Sequence, residues 1–447
     1  MELNITGLPD SLRPAIDLLA PRWDITVTAD AELTVTLAPT ARTLTVTRAD
    51  TAGTIGYPGG AAALRGLTEW IAHAQNERHF SYQETPTAAT VGLLLDIRHN
   101  AQLTTREGQV LLQRLAMLGY TALTVITGPN TLLDSDQLNT DAQILHIAQT
   151  ILTAVPDKAP AGAISLHMDQ GLAPNQGVMV AAAQAAALTR PTELWATAAF
   201  TDGGETPTRA MMLGLQAVAE AAYAPELTKD WLAAQFWLMQ HEDWDGFYAL
   251  DQFDNFKRRG KTNIQGANPS KLLLYMDWLT PRFWANFSGV DAEKHYRVLA
   301  EKLGGAVTTQ TTRPLYAYYQ QLARFLSHKA HLLDAIQDAY RAGDRDEMTG
   351  VIAELQALAR RLDKLHDARQ SLWLVERSPI GWEVVDNRFG ALKQRLLTAV
   401  ERLSAWEDGR LPELPAMTAP LTAIATEKGG KLGFARYHDI ISPFPQA

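Results

Sequence analysis

The chain has 447 residues, 46% of them hydrophobic and 20% charged, an ordinary globular composition with room for roughly two to four domains. Its net charge of −9 argues against a nucleic-acid partner, which rewards clustered Lys and Arg. The sequence has no cysteine, which excludes a disulfide framework, a thiolate nucleophile and a cysteine-ligated zinc site.

The N-terminus reads MELNITGLPDSLRP, with an acid at position 2 and no apolar core, unlike a signal peptide. No apolar run approaches the ~18 residues a spanning helix needs. Even the Ala-rich stretch 178–188 is broken by Gln184. A soluble, cytoplasmic protein with no membrane partner is therefore expected.

In chain order, residues 3–6, 24–28, 33–37 and 43–47 show the period of two and the Val/Thr/Ile content of strands. Residues 9–19 and 60–74 carry apolar residues at helical spacing. They predict a small α+β domain over 1–87, closed by the polar, Pro-containing stretch 83–87.

A different pattern starts at Val91. Residues 91–97, 122–126, 161–167 and 193–200 read as strands buried on both faces, as in a parallel sheet. Between and after them, 104–118, 136–152, 175–188 and 207–222 read as helices. The fold class expected over 88–226 is α/β, a partial (β/α) barrel of about four βα units. A complete eightfold barrel needs ~250 residues. Residues 227–447 predict an all-α C-terminal domain with long helices over 313–341, 344–366 and 384–405, then a Pro-rich stretch 411–420 and a short tail. The aromatic series Trp231, Trp237, Trp244, Phe247, Tyr248 and Phe253 has helical spacing and reads as core rather than as a sugar cleft. His328 and His331 share a helix face without an acidic partner pattern and read as solvated.

Three segments carry a family likeness. VGLLLDIRHNAQLTTREGQVLLQRLAMLGYTALTVIT (91–127) is similar to the first strand, helix and second strand of the catalytic barrel of glycoside hydrolase family 20, the β-N-acetylhexosaminidases. GLAPNQGVMVAAAQAAALTRPTELWATAAFTDGGET (171–206) resembles the end of that barrel's seventh strand, its helix and its eighth strand. LWLVERSPIGWEVVDNRFGALKQRL (372–396) resembles the C-terminal helical domain of the family's bacterial branch.

The resemblance implies a mechanism in which a carboxylic acid protonates the leaving oxygen and an adjacent aspartate orients the substrate's acetamido nucleophile. That Asp-Glu pair follows the family's fourth strand, and residues 128–170, which stand in its place, contain no Asp-Glu dipeptide. Where the family has an Asp-x-Ser-Arg-like motif, this chain has Asp96-Ile97-Arg98-His99, and a Trp-Gly-Asp-Asn-Gly-Ala-Glu-like run is replaced by Ala199-Phe200-Thr201-Asp202-Gly203-Gly204-Glu205. A degenerate hydrolase, kept as a carbohydrate-binding or scaffold protein, is expected, with an active exo-glycosidase on N-acetylhexosaminides as the alternative. No catalytic residue is assigned. Glu205 and Asp169 are the candidates, and Asp96 with Asp169 forms a second conceivable carboxylate pair. Arg98, His99, His167, Asn175, Asp202 and Glu205 are the expected ligand-binding residues. No metal and no cofactor are expected. The strands should lie in the order second, first, fourth, third, with two raw edges and a concave face that includes Leu93, Leu95, Leu123, Val125, Ile164, Leu166, Leu194 and Ala196. Such a face would be covered by a homodimer or, alternatively, by the helices after Lys229.

Overall fold

The computed structural model describes residues 1–169, 171–224, 226–258, 261–262, 268–287, 289–418 and 435–442. The first part contains β1 (Glu2–Thr6), α1 (Arg13–Trp23), β2 (Thr26–Val27), β3 (Thr34–Pro39), β4 (Leu44–Ala49), β5 (Ala52–Tyr57), α2 (Gly60–Ala74) and β6 (His79–Glu84). Its mixed sheet runs β2-β1-β3-β5-β4-β6. Two of these strands carry no legible strand signal. The sequence of β5, AGTIGY, is weakened by glycine, and β6, HFSYQE, is half polar. Helix α2 buries Leu64, Leu67, Trp70 and Ile71 in this part's core.

The second part contains β7 (Thr90–Asp96), α3 (Thr105–Leu118), β8 (Ala122–Ile126), α4 (Ser135–Ile144), β9 (Ala148–Leu152), β10 (Ala163–Ser165), α5 (Gln176–Thr189) and β11 (Glu193–Ala199). A 3₁₀ turn at Thr208–Met211 leads into α6 (Met212–Tyr223). All five strands are parallel, in the order β10-β11-β7-β8-β9. The expected order of four strands is present within it. The fifth strand, β9, corrects the reading of 136–152 as one helix. The backbone of His146 turns left-handed (φ 57°) just past the end of α4, and the chain straightens into β9. The apolar residues Leu145, Ile147, Ile151 and Leu152 fit either period, and no glycine marks the break.

Strand alternation also settles which face is apolar. The row Leu93, Leu95, Leu123, Leu194, Ala196 and Leu166 is fully buried, and α6 lies against it, so close that a Cβ at Gly214 would stand 2.7 Å from Leu166. That row was expected on the concave face; it lies instead under the helices. The opposite face presents Leu94, Thr124, Trp195 and Thr197 half-buried and Ser165 exposed.

The third part is helical apart from the two-residue strands β12 (Lys257–Arg258) and β13 (Lys261–Thr262). It contains α7 (Lys229–Gln240), α8 (Trp244–Ala249), α9 (Pro269–Tyr275), α10 (Ala292–Gly304), α11 (Arg313–Ala342), α12 (Arg345–Glu376), α13 (Trp382–Glu407), α14 (Pro415–Thr418) and α15 (Tyr437–Ile441). Helices α10 to α13 pack in succession, each on the next. Among the expected aromatics, Phe247 and Phe253 are core, Trp231, Trp244 and Tyr248 are half-buried, and Trp237 is 53% exposed. Residues 419–420 of the Pro-rich stretch and most of the tail lie outside the described residues. No described helix is long and apolar enough to cross a membrane.

Candidate ligand-binding site

The C-terminal ends of parallel strands are where backbone N–H groups and loop side chains converge, so barrel sites form there. Here β7 delivers Asp96, Arg98 and His99, β10 delivers His167 and Asp169, and β11 delivers Asp202 and Glu205. Pairing of Ala199 with Asp96 in neighbouring strands brings the β7 and β11 ends together.

Asp96 points into the concave side and is 5% exposed. Arg98 folds back on it, with Nη2 2.8 Å and Nε 3.0 Å from its carboxylate oxygens, and the Arg98 backbone N–H donates at 3.1 Å. A two-pronged guanidinium contact of this kind holds the carboxylate oriented. His99 is exposed beside it. His167 sits half-buried on left-handed backbone (φ 51°). Asp169 is half-buried, and burial raises its carboxyl above the usual range, against the opposing pull of its own backbone hydrogen bond and of His167, Lys271 and Arg436. Asp169 therefore keeps its proton to higher pH than a free aspartate. Among the described residues no cluster of three or more His, Asp or Glu has metal-binding geometry.

Asp202 and Glu205 are arranged differently. Glu205 is 4% exposed; its Oε2 lies 2.5 Å from Lys271 Nζ and 3.0 Å from an Arg388 nitrogen, and Tyr275 donates its hydroxyl proton to Oε1. Asp202 takes Lys271 at 2.8 Å, Arg388 at 3.1 Å and the Tyr437 backbone N–H at 3.1 Å. Burial pushes the Asp202 carboxyl up, but Lys271, Arg388 and that N–H together outweigh it and hold it below the usual range. Two carboxylates thus face two cations in a closed, neutral cluster sealed by α9, α13 and α15. The turn that makes it possible is Gly203, whose φ of 90° suits glycine and where a Cβ would stand 2.6 Å from the Arg388 guanidinium. Asn175 caps α5, accepting from Val178 N–H at 3.4 Å, and also accepts from Asn255 at 3.2 Å.

The cations of this cluster went unread in the sequence, yet they left a trace. Arg388 follows Val385 and precedes Phe389 and Leu392 at core spacing on α13, so a charge stands on a buried stripe. Lys271 likewise sits in SKLLLY, all of it buried. The start of the 3₁₀ turn before α6 is capped from a distance: Glu376, the last residue of α12, accepts from the Thr208 and Arg209 N–H groups at 2.8 and 3.0 Å. Sequence gives no local sign of such a cap.

Residues 245–433 match the family model of the Glycoside Hydrolase 20C C-terminal domain. A search of curated protein sequences gives no match. Among solved structures, a GH138 enzyme targeting pectin rhamnogalacturonan II superposes with a TM-score of 0.49 at 9% identity, over 92% of this chain and 80% of that one. Streptomyces plicatus N-acetyl-beta-hexosaminidase in complex with Thio-NAglucal gives 0.26 at 14% identity, over 33% of this chain and 40% of that one. The beta-N-acetylhexosaminidase from Bacteroides fragilis NCTC 9343 gives 0.26 at 8% identity, over 37% and 41%. The C-terminal helical region of this chain is similar to the C-terminal domain of family 20 glycoside hydrolases.

Proposed function

We propose that this glycoside hydrolase-like chain binds carbohydrate without hydrolysing N-acetylhexosaminides by the family 20 mechanism. The observation that carries this reading is the neutralised state of Glu205 and Asp202, whose carboxylates are committed to Lys271, Arg388 and Tyr275. A general acid must reach the glycosidic oxygen, and a buried, doubly ion-paired carboxylate does not. The half-buried Trp195 on the concave face supports binding, since an indole face suits the apolar side of a pyranose. Asp96, fixed by Arg98, would accept from sugar hydroxyls at the upper end of that face, with His99 and His167 at its rim.

The test is turnover of an aryl N-acetylglucosaminide together with tryptophan fluorescence titrations against N-acetylated and simple sugars. No turnover is expected, and sugar-dependent quenching should be lost in Trp195→Ala. Turnover at ordinary enzyme rates would overturn the reading. The alternative, an exo-glycosidase, draws on the raised pKa of Asp169, which suits a proton donor. It would be favoured by turnover that Asp169→Asn abolishes.

A further inference from the structure

Away from these strand ends, a cleft of about 470 Å³ opens where the three parts of the chain meet. Four arginines line it: Arg22 near the end of α1, Arg106 and Arg114 on α3, and Arg209 in the 3₁₀ turn before α6. Their direct hydrogen-bond partners are few and uncharged, although Glu242 and Glu376 lie close enough to attract Arg114. Arg22 donates to the Gln113 side-chain oxygen at 2.7 Å, and the Arg209 guanidinium donates to the Thr311 carbonyl. Among the described residues, Arg106 and Arg114 have no hydrogen-bond or ion-pair partner.

The two carboxylates in the lining are committed elsewhere. Glu107 accepts from the Thr104 N–H at 2.9 Å in the capping box of α3, and Glu376 caps the turn at Thr208. Neither forms an ion pair with the arginines. Burial, with Arg209 and Arg22 nearby, pulls Arg114 down to about 10 against the opposing pull of Glu242 and Glu376, so it stays charged at neutral pH. A half-buried guanidinium beside two others, with no carboxylate in direct contact, gains when an anion joins it. Guanidinium forks match the spacing of phosphate and sulfate oxygens. Beside Thr208 and Thr311, the rest of the lining is apolar and includes Val110, Leu111, Met211 and the half-exposed Leu374.

We propose that this cleft is an anion site for a small monoester of a tetrahedral oxyanion, phosphate or sulfate, with its charged head among Arg22, Arg106, Arg114 and Arg209 and its organic part against Val110 and Leu374. The site is separate from the sugar-binding reading above and stands or falls without it.

The experiment is thermal unfolding and calorimetry of the whole chain with inorganic phosphate, 4-nitrophenyl phosphate and 4-nitrophenyl sulfate, at ionic strength held constant with sodium chloride. A concentration-dependent rise in melting temperature with inorganic phosphate and with at least one ester is expected. Whichever ester binds more tightly identifies the head group. Arg106→Gln, at an exposed position that leaves folding intact, and Arg114→Met should each raise the dissociation constant at least tenfold. Without ligand, Arg114→Met should melt no lower than the unaltered protein, because it removes a half-buried charge that makes no direct hydrogen bond or ion pair among the described residues. No rise beyond the chloride control overturns the proposal, as does an undiminished rise in the Arg106→Gln, Arg114→Met double variant. Binding of inorganic phosphate with neither ester overturns the monoester.

Discussion

Glu205 is a carboxylate whose position suggests catalysis and whose surroundings make it structural. Removing one partner of a buried, hydrogen-bonded ion cluster strands the others, at a cost of about 3–5 kcal/mol. Glu205→Ala should therefore lower unfolding free energy by about that much in urea titrations, while leaving sugar affinity unchanged. Weakened sugar binding in a fully folded variant would instead place Glu205 in the ligand site. Asp254 shows a different burial effect. It accepts from the Ser270 N–H at 2.9 Å and hydroxyl at 2.7 Å, yet burial still pushes its carboxyl up to about 7. The folded chain thus holds a proton that the unfolded chain releases near the ordinary carboxylate value, so stability contributed here is lost as pH rises from about 4 towards 7. The loss accumulates across that window and levels off above it. Asp254→Asn should flatten this slope in urea titrations run from pH 4.5 to 8; an unaltered slope would mean that Asp254 ionises normally.

At the scale of elements, the concave face turns on Gly92, where a Cβ would lie 2.3 Å from the Trp195 ring. Gly92→Ala should displace the indole, shift its emission and cost about 1–3 kcal/mol by overpacking. Unchanged emission would show that Trp195 does not lie over Gly92. Much of the element inventory was legible. α2 and β8 lie where the sequence puts them, since apolar residues dominate both and both are buried along nearly their whole length. What escaped was β5, β6 and β9: β5 is set by a tight hairpin to β4, and β6 and β9 by pairing with β4 and β8, rather than by their own composition. The candidate site was legible by strand end but not by state. Asp96, His167 and Asp202 lie at the expected strand ends. Whether a carboxylate is free or quenched depends on Lys271 and Arg388, which reach it across 69 and 186 residues.

Across the whole molecule, the first two parts share one buried charge cluster. Arg65 of α2 meets Glu69 at 2.8 Å, Glu84 at 2.8 Å and Glu220 of α6 at 3.0 Å, all fully buried. Three carboxylates around one guanidinium exceed its charge. Burial, despite Arg65, pushes Glu69 well above the usual range, and the Tyr82 hydroxyl donates to it. Among the described residues, the second sheet leaves two unpaired edges, β9 and β10, and a half-exposed concave face. We propose that two copies pair across this region, because unpaired parallel edges invite a partner strand. Sedimentation should then show a species of twice the 49.1 kDa chain mass, and a lone monomer at micromolar concentration would refute it.

The order β10-β11-β7-β8-β9 has a further consequence, for the chain as it is made. β7 can pair with β8 as soon as both have emerged, but its other neighbour, β11, lies nearly a hundred residues downstream. At a synthesis rate of about 5–20 residues per second, the open side of β7 waits on the order of 5–20 s for its partner. Contacts so distant in sequence also slow folding, because loop entropy is lost before they form. The newborn protein therefore passes through a stage with the Leu93 and Leu95 row uncovered, since α6, which buries it, is made after β11. That interval is when a chaperone would find the most to hold.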